Sequence, residues 1–154
     1  MRIREPKATG LLFASGKVVV TGAQGKEAAR EAARKFVAVL ESLQYKPAFL
    51  GFTIQNMVAT ADIGFPVSLE LLAYSQARWC SYEPELFPGV IYKAPRSRVV
   101  VHIFLTGRLV LTGVKVTEQF VSAMEYLTPI LHQFRARDLN GDFMPRLVPS
   151  LHPG

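Results

Sequence analysis

The fold is decided by Leu12-Phe13-Ala14-Ser15-Gly16-Lys17-Val18-Val19-Val20-Thr21-Gly22, a stretch that recurs in register as Ile103-Phe104-Leu105-Thr106-Gly107-Arg108-Leu109-Val110-Leu111-Thr112-Gly113. In each copy a Ser-Gly-Lys or Thr-Gly-Arg turn separates two runs of β-branched, aromatic and other apolar residues, which is the pattern of a β-hairpin. Similarity over this length indicates a repeated structural unit. We therefore predict two copies of one hairpin.

A helical pattern follows each hairpin, over residues 25–43 and residues 117–134. Apolar side chains recur there at intervals of three and four, as on a helix that packs one face against a sheet. They are Ala29, Ala33, Phe36, Val37, Leu40 and Leu43 in the first helix, and Phe120, Met124, Leu127, Ile130, Leu131 and Phe134 in the second. Both helices are predicted to cover one face of one sheet, and Pro129 is expected to kink the second.

The segment between the copies adds elements to the second copy. Residues 52–63 predict a strand, residues 67–79 have helical spacing, and residues 81–92 predict two short strands around a proline-rich tip. The second copy is therefore predicted as strand, helix, four strands, helix, whereas the first begins part-way and has only the last strands and the final helix. We expect a partial first repeat at 1–46, a complete second repeat at 47–137 and a flexible C-terminal extension at 138–154, which lacks periodicity.

The composition restricts the class of protein. A chain of 154 residues with 49% hydrophobic content can bury a core, and 18 Lys+Arg against 12 Asp+Glu, a net charge of +6, suit a polyanionic partner. Cys80 is the only cysteine, which excludes an intrachain disulfide and favours a reducing compartment. No secretory segment, membrane span, metal-ligand spacing or nucleophile and base pair stands out. We expect no enzyme activity, no cofactor and no small-molecule substrate.

The strands of the second hairpin have two different faces. His102, Phe104, Thr106, Arg108, Val110 and Thr112 alternate with Ile103, Leu105, Gly107, Leu109 and Leu111. The second set suits burial, and the first is too apolar for an exposed sheet and too polar for a core. Such a mixture suits the minor groove at A·T pairs, which offer only hydrogen-bond acceptors. Taken singly, these residues have simpler explanations, since strand phenylalanines usually belong to a core and charged residues in hairpin turns are usually solvated.

Three motifs in order resemble the TATA-box-binding protein family. They are Gln55-Asn56-Met57-Val58, the run from Ser81 to Gly89 (Ser-Tyr-Glu-Pro-Glu-Leu-Phe-Pro-Gly), and the duplicated Phe-x-Ser/Thr-Gly-Lys/Arg-x-Val-x-Thr-Gly. The resemblance extends from Met1 to about Arg135. It implies an α+β saddle of two pseudo-symmetric repeats, with a curved antiparallel sheet and helices on the convex face. It also implies a nuclear general transcription initiation factor that binds and bends TATA-box promoter DNA.

The resemblance further implies a role for each residue of the DNA-facing set. Asn56, Thr21 and Thr112 are the implied donors to base edges, Val19, Val58 and Val110 the groove floor, and Phe13, Phe87 and Phe104 the kinking wedges, with Pro88 bracing Phe87. Ser15, Lys17, Lys93, Arg108 and Arg2 lie where the family meets the DNA backbone, so affinity should fall as salt rises. His102 occupies a position at which the family usually has a leucine.

Two further groups of residues are implied to meet protein partners. Glu83, Glu85 and Leu86 lie in the loop that the family presents to transcription factor IIB, and Arg30, Arg34 and Lys35 resemble the basic surface used by transcription factor IIA. Two alternatives stay open: a family-like protein-interaction module, or a paralogue with weakened DNA binding. An enzyme domain of similar layout, such as part of a DNA glycosylase, is disfavoured because the chain lacks a helix-hairpin-helix segment and a catalytic Lys/Asp pair.

Overall fold

The computed structural model describes residues 1–136, so the predicted C-terminal extension at 138–154 lies outside the described residues. The chain divides into two compact units, Met1–Gln55 and Asn56–Gly154, and each is described by itself. The boundary between the units falls after Gln55, whereas the repeat boundary expected from the sequence falls between residues 46 and 47.

The first unit is a three-stranded antiparallel meander followed by a helix. Its elements are β1 (Arg2–Arg4), β2 (Lys7–Leu12), β3 (Val18–Thr21) and α1 (Lys26–Ser42), with the strands in the order β1-β2-β3. The hairpin and the helix agree with the prediction. The strand β1 was not predicted, because three residues are too few for an alternating pattern; its pairing with β2, which sets Ile3 opposite Ala8, defines it.

One face of this meander packs on α1. Ala8, Ala32 and Phe36 are buried at the centre of the contact, and half-buried apolar residues surround them: Ile3, Val18, Val20 and Ala23. A Cβ atom at Gly10 would lie 2.9 Å from the Phe36 ring, so glycine lets the ring lie directly on β2. The packed face leaves the alternate residues of β2 and β3 on the opposite, open face.

The second unit is a five-stranded antiparallel sheet with two helices. Its elements are β4 (Met57–Asp62), α2 (Leu69–Ser75), β5 (Cys80–Ser81), β6 (Gly89–Lys93), β7 (Val100–Phe104), β8 (Arg108–Val114) and α3 (Thr117–Gln133). The predicted order of strand, helix, four strands and helix is confirmed. In space the strands lie in the order β4-β8-β7-β6-β5.

Two predicted elements are shorter in the structure. The predicted strand at 52–63 is shortened to β4, and the helix predicted at 67–79 is shortened to α2. After α2 ends at Ser75, the backbone N–H groups of Trp79 and Cys80 both bond back to the Gln76 carbonyl in a turn that leads into β5. The helix α3 includes Pro129.

The core of the second unit lies between the sheet and the helices. Its fully buried members include Leu72 from α2, Leu127 and Leu131 from α3, and the inward residues of three strands: Val90, Val101, Ile103, Leu109 and Leu111. Burying each such side chain stabilises the fold by about 1.5–3 kcal/mol. Within residues 1–136, no helix is long and apolar enough to cross a membrane.

The repeat predicted from the sequence is present in the structure. The strands β1 to β3 correspond to β6 to β8, and α1 corresponds to α3. Both hairpins close with the same turn: the Gly16 N–H donates to the Phe13 carbonyl, and the Gly107 N–H donates to the Phe104 carbonyl, each at 2.9 Å. Both glycines have a positive φ, of 82° and 87°. Within the described residues the strands form two sheets, β1-β2-β3 and β4-β8-β7-β6-β5, where the sequence led us to expect one, and no strand pairs with the outer edge of β3.

Candidate nucleic-acid interface

The open face of the five-stranded sheet carries most of the DNA-facing residues predicted in the second repeat. Exposed and packed residues alternate along β4, β7 and β8, so every second side chain avoids the core. The open-face residues are Val58 and Thr60 on β4, Lys93 on β6, His102 and Phe104 on β7, and Arg108, Val110 and Thr112 on β8. The strand pairing therefore brings residues far apart in the chain onto one surface.

The register of the strands defines a row across the middle of this face. Thr60 pairs with Val110, Val110 with His102, His102 with Ile91, and Ile91 with Ser81. Hydroxyl groups lie at both ends of the row and apolar side chains lie inside it. His102 is the exception, because it places an imidazole ring in the apolar part.

Asn56 is held at the start of β4 by its own side chain. Its Oδ1 atom accepts a hydrogen bond of 2.8 Å from the Gly113 N–H. A backbone N–H can only donate, so the oxygen of the amide is assigned and the Nδ2 group is left with two N–H donors. No group within residues 1–136 accepts from that nitrogen, and Asn56 is exposed. The amide thus presents donors at the surface.

A β-bulge makes this hydrogen bond available. Met57 pairs with Val114 but Ala59 pairs with Leu111, so β8 has one more residue than β4 over this stretch. An extra residue in one strand leaves its backbone groups without a ladder partner. Gly113 lies in the bulge with φ 79°, and a Cβ atom there would lie 2.6 Å from the Arg98 carbonyl oxygen. Glycine is therefore required both by conformation and by space.

Two phenylalanines and a histidine form a cluster at one part of the face. The Phe87 ring centroid lies 5.7 Å from that of Phe104 and 5.2 Å from that of His102, in an edge-on arrangement with the imidazole. Gly89 makes room for them, since a Cβ atom there would lie 3.1 Å from the Phe87 ring and 3.3 Å from the Phe104 ring. Phe87 and Phe104 therefore act as one apolar body on the sheet.

The open face of the first unit repeats this chemistry. Leu11 pairs with Val19 and Thr9 with Thr21, while Phe13 follows at the hairpin turn with Ser15 and Lys17. Leu11 is 48% exposed and Phe13 50% exposed. Adjacent apolar side chains at such exposure indicate a binding surface. Leu11 is absent from the predicted site, although its repeat position, equivalent to that of His102, could have identified it.

The model of the family described as "Transcription factor TFIID (or TATA-binding protein, TBP)" matches residues 1–43 and 51–134. The chain belongs to the TATA-binding protein family. Its relatives include the TATA-box-binding proteins of Acanthamoeba castellanii, with 50% identity over 135 residues, and of Schizosaccharomyces pombe, with 48%. Each alignment covers 88% of this chain but only 52% and 58% of those proteins. The chain thus spans little more than half their length.

The family fold is also found by structural similarity. The chain matches the Methanococcus jannaschii TBP with a TM-score of 0.78 and 37% sequence identity, over 87% of this chain and 79% of that one. The α+β fold of the TATA-binding protein family, predicted from the sequence, is therefore confirmed.

The cations implied by the family resemblance are accessible. Lys17 and Lys93 are exposed, Arg108 is half-buried on the open face of β8, and Arg2 is exposed on β1 opposite Thr9. Asp62 is paired with Arg108 in the sheet register.

The loop before Phe87 presents two carboxylates and a leucine. Glu83, Glu85 and Leu86 are exposed, Leu86 to 80%. The Glu83 carbonyl accepts hydrogen bonds of 2.9 Å from the Leu86 and Phe87 N–H groups, which turns the chain toward β6. Pro88 is exposed in the bend that follows. One short turn thus connects the expected partner-binding residues to the aromatic cluster.

The three basic residues expected on α1 are not equivalent in the structure. Arg30 is half-buried and lies 5.5 Å over the Phe52 ring, and Lys35 forms a 2.9 Å ion pair with Glu31. Lys35 also donates to the Glu5 carbonyl. Arg34 is exposed. Of the three, Arg34 is the most available to a partner.

The remaining titratable groups are buried or scattered. Burial raises the pKa of the Cys80 thiol to about 11, and burial together with the neighbouring Tyr126 raises the pKa of Tyr92. Among the residues that the structure describes, no three His, Cys, Asp or Glu side chains are grouped as metal ligands.

Proposed function

We propose that this chain is a nuclear general transcription initiation factor that binds the minor groove of TATA-box promoter DNA and bends it, without enzyme activity. The observation that carries the proposal is the Asn56 amide, whose oxygen is engaged by Gly113 so that its N–H groups face outward. It lies beside Val58, which is 61% exposed on β4. A hydrogen-bond donor next to an exposed aliphatic side chain suits a DNA minor groove, whose floor at A·T pairs offers hydrogen-bond acceptors.

The chemistry of the minor groove explains why A·T pairs are preferred. An A·T pair presents only the adenine N3 and thymine O2 acceptors, whereas a G·C pair adds the guanine amino group. Asn56, Thr112 and Thr21 supply donors to those acceptors. The Thr112 hydroxyl makes only a long 3.5 Å contact with the Val100 carbonyl, so it can turn to a stronger acceptor. Three valines, Val19, Val58 and Val110, would contact the floor and leave a guanine amino group unpaired.

The aromatic residues supply the wedges. Phe87 and Phe104 enter the groove together as the apolar body described above, and Phe13 does so from the first unit. A wedge partly unstacks a base step, which is easiest at flexible TA steps, and the resulting bend lets more protein surface contact the DNA. The cations Lys17, Lys93, Arg108 and Arg2, with Ser15, contact the phosphates on either side.

The exposed loop and helix serve protein partners. Glu83, Glu85 and Leu86 suit a basic, partly apolar surface such as that of transcription factor IIB, and Arg34, with Arg30 and Lys35 beside it, suits an acidic surface of transcription factor IIA. Pull-down of purified transcription factor IIB by the chain, lost on Glu83→Arg and kept on Glu125→Arg, would support the first assignment. Glu125 is an exposed residue on α3 and serves as the matched control.

A second candidate function rests on the exposure of Leu86: the chain is an interaction module or paralogue whose DNA binding is weak. An electrophoretic mobility shift, combined with end-to-end fluorescence transfer across the duplex, separates the two functions. We expect a shift and a shortened end-to-end distance on a TATA duplex and neither on a G·C-rich duplex. Equal or absent binding by the folded chain would contradict the DNA-binding function, and retained pull-down of transcription factor IIB would then favour the second.

A further inference from the structure

His102 breaks the symmetry between the open faces of the two units. In the sequence repeat Leu11 corresponds to His102, and Val19 corresponds to Val110. The structure pairs them equivalently, Leu11 with Val19 and His102 with Val110. The first face therefore has an isobutyl group where the second has an imidazole, on the same side of an equivalent strand pair.

The imidazole is positioned to meet a ligand rather than to complete the core. His102 is half-buried on the open face, and its ring is held edge-on against Phe87 at 5.2 Å. Within residues 1–136 no hydrogen bond to its ring nitrogens is found. Its neighbours in the row, Val110 and Ile91, are apolar and offer no partner. The described residues thus provide no hydrogen-bond partner for the imidazole on this face.

A neutral imidazole can do what a leucine cannot in a minor groove. One ring nitrogen donates and the other accepts, so the ring can accept from the guanine amino group as well as donate to the A·T acceptors. We propose that His102 makes this chain tolerant of a G·C pair at the one base step that it faces. The inference rests on the proposed binding of DNA through this face.

The test uses base pairs that differ by a single amino group. Inosine·cytosine has the minor-groove pattern of A·T, so each A·T pair of a TATA duplex is replaced in turn by G·C or by I·C. The dissociation constant of the full chain is measured for each duplex by fluorescence anisotropy at constant ionic strength and at pH 8. The variants are His102→Leu, which copies Leu11, and His102→Gln, which keeps a donor and an acceptor.

At the base step that His102 faces, the wild-type chain should bind the G·C and I·C duplexes equally at pH 8. His102→Leu should bind the G·C duplex at least about fivefold more weakly than the I·C duplex, which corresponds to the loss of one hydrogen bond. His102→Gln should keep the tolerance, because its amide also has both a donor and an acceptor. Folding of each variant is checked by circular dichroism.

The outcomes separate this inference from the proposed function. If the wild-type chain binds the TATA duplex but His102→Leu has the same ratio of G·C to I·C affinity at every step, the inference is wrong and the proposed function stands. If the folded wild-type chain binds none of the duplexes, both are wrong. If the wild-type chain binds the G·C duplex more weakly than the I·C duplex at every step, the tolerance does not exist and the inference is also wrong.

Discussion

The Oδ1 atom of Asn56 accepts a hydrogen bond from the N–H of Gly113 at 2.8 Å. This bond joins the residue before β4 to the bulge in β8, so the side chain is oriented before any ligand arrives. Preorganised donors bind more tightly because less conformational entropy is lost on binding. The amide N–H groups are therefore already positioned for acceptors on the open face.

The oxygen and the N–H groups of the Asn56 amide can be tested separately. Asn56→Asp keeps an oxygen acceptor for the Gly113 N–H but loses both outward donors and adds a charge that repels phosphates. We expect its melting temperature to stay close to that of the wild type and its affinity for TATA DNA to fall at least about tenfold. Circular dichroism and fluorescence anisotropy measure the two quantities.

Asn56→Ala provides the comparison, because it removes both the oxygen and the N–H groups of the amide. It should destabilise the fold by about 0.5–1.5 kcal/mol, the usual net value of one hydrogen bond, and also weaken DNA binding. If Asn56→Asp bound TATA DNA as tightly as the wild type, the outward N–H groups would have no role in recognition.

Gly113 and Gly22 occupy equivalent positions of the repeat and form a matched pair. Their φ angles are 79° and 81°, but a Cβ atom at Gly113 would lie 2.6 Å from the Arg98 carbonyl oxygen, whereas a Cβ atom at Gly22 would have nothing within 4 Å. Gly22→Ala should therefore cost only the conformational strain, about 1–2 kcal/mol. Gly113→Ala should cost at least about 1 kcal/mol more. Urea unfolding, followed by circular dichroism, measures both costs, and equal destabilisation would exclude the steric contribution.

The Phe87 and Phe104 pair should control bending more than folding. Phe104→Ala removes one of two rings whose centroids lie 5.7 Å apart on the open face. We expect a smaller bend by fluorescence transfer and roughly tenfold weaker binding, because the remaining ring is a poorer wedge. Tyr74→Ala removes an exposed aromatic residue from α2 and should change neither quantity. A normal bend with Phe104→Ala would show that the pair does not insert.

The Cys80 thiol should react slowly with alkylating reagents in the folded chain. Burial raises its pKa to about 11, so at pH 8 it has about 100-fold less thiolate than a thiol with a pKa of 9.0. Alkylation by iodoacetamide should accordingly be about 100-fold slower in the native chain than in urea, and should accelerate as the pH rises toward 11. Mass spectrometry of timed samples measures the rates. Equal rates in both states would contradict the burial of this thiol.

The local patterns of the chain predicted most of the elements but not the way that they pair. The helix expected at residues 25–43 is α1, Lys26–Ser42, because its apolar spacing and the packing against β2 agree. The strand expected at 52–63 begins only at Met57. Met57 pairs with Val114, the last residue of β8, and the chain then enters α3 at Thr117 instead of continuing the strand. The division of the strands into two sheets was not predicted for a similar reason, since pairing at the edge of β3 depends on a neighbour that alternation along one strand does not reveal.

Most residues of the candidate site were expected from the sequence, but the contacts that they make with residues distant in the chain were not. The resemblance implied roles for Asn56 and Thr112, but the bond between Asn56 and Gly113 depends on a bulge that appears only when β4 and β8 are paired. Arg30 was expected on a partner surface, yet it lies over the ring of Phe52, which comes after the end of α1 in the chain. Contacts between distant residues are set by tertiary packing, and single-chain periodicity does not predict them.

The central claim is recognition of TATA DNA through the minor groove, and one measurement tests it most directly. The affinity of the chain is compared for a TATA duplex, the same duplex with every A·T pair replaced by I·C, and the same duplex with every A·T pair replaced by G·C. The first two share one minor-groove pattern and differ in the major groove. We predict closely similar affinities for these two and at least about tenfold weaker binding to the third. Binding lost equally on the I·C and G·C duplexes would contradict the account.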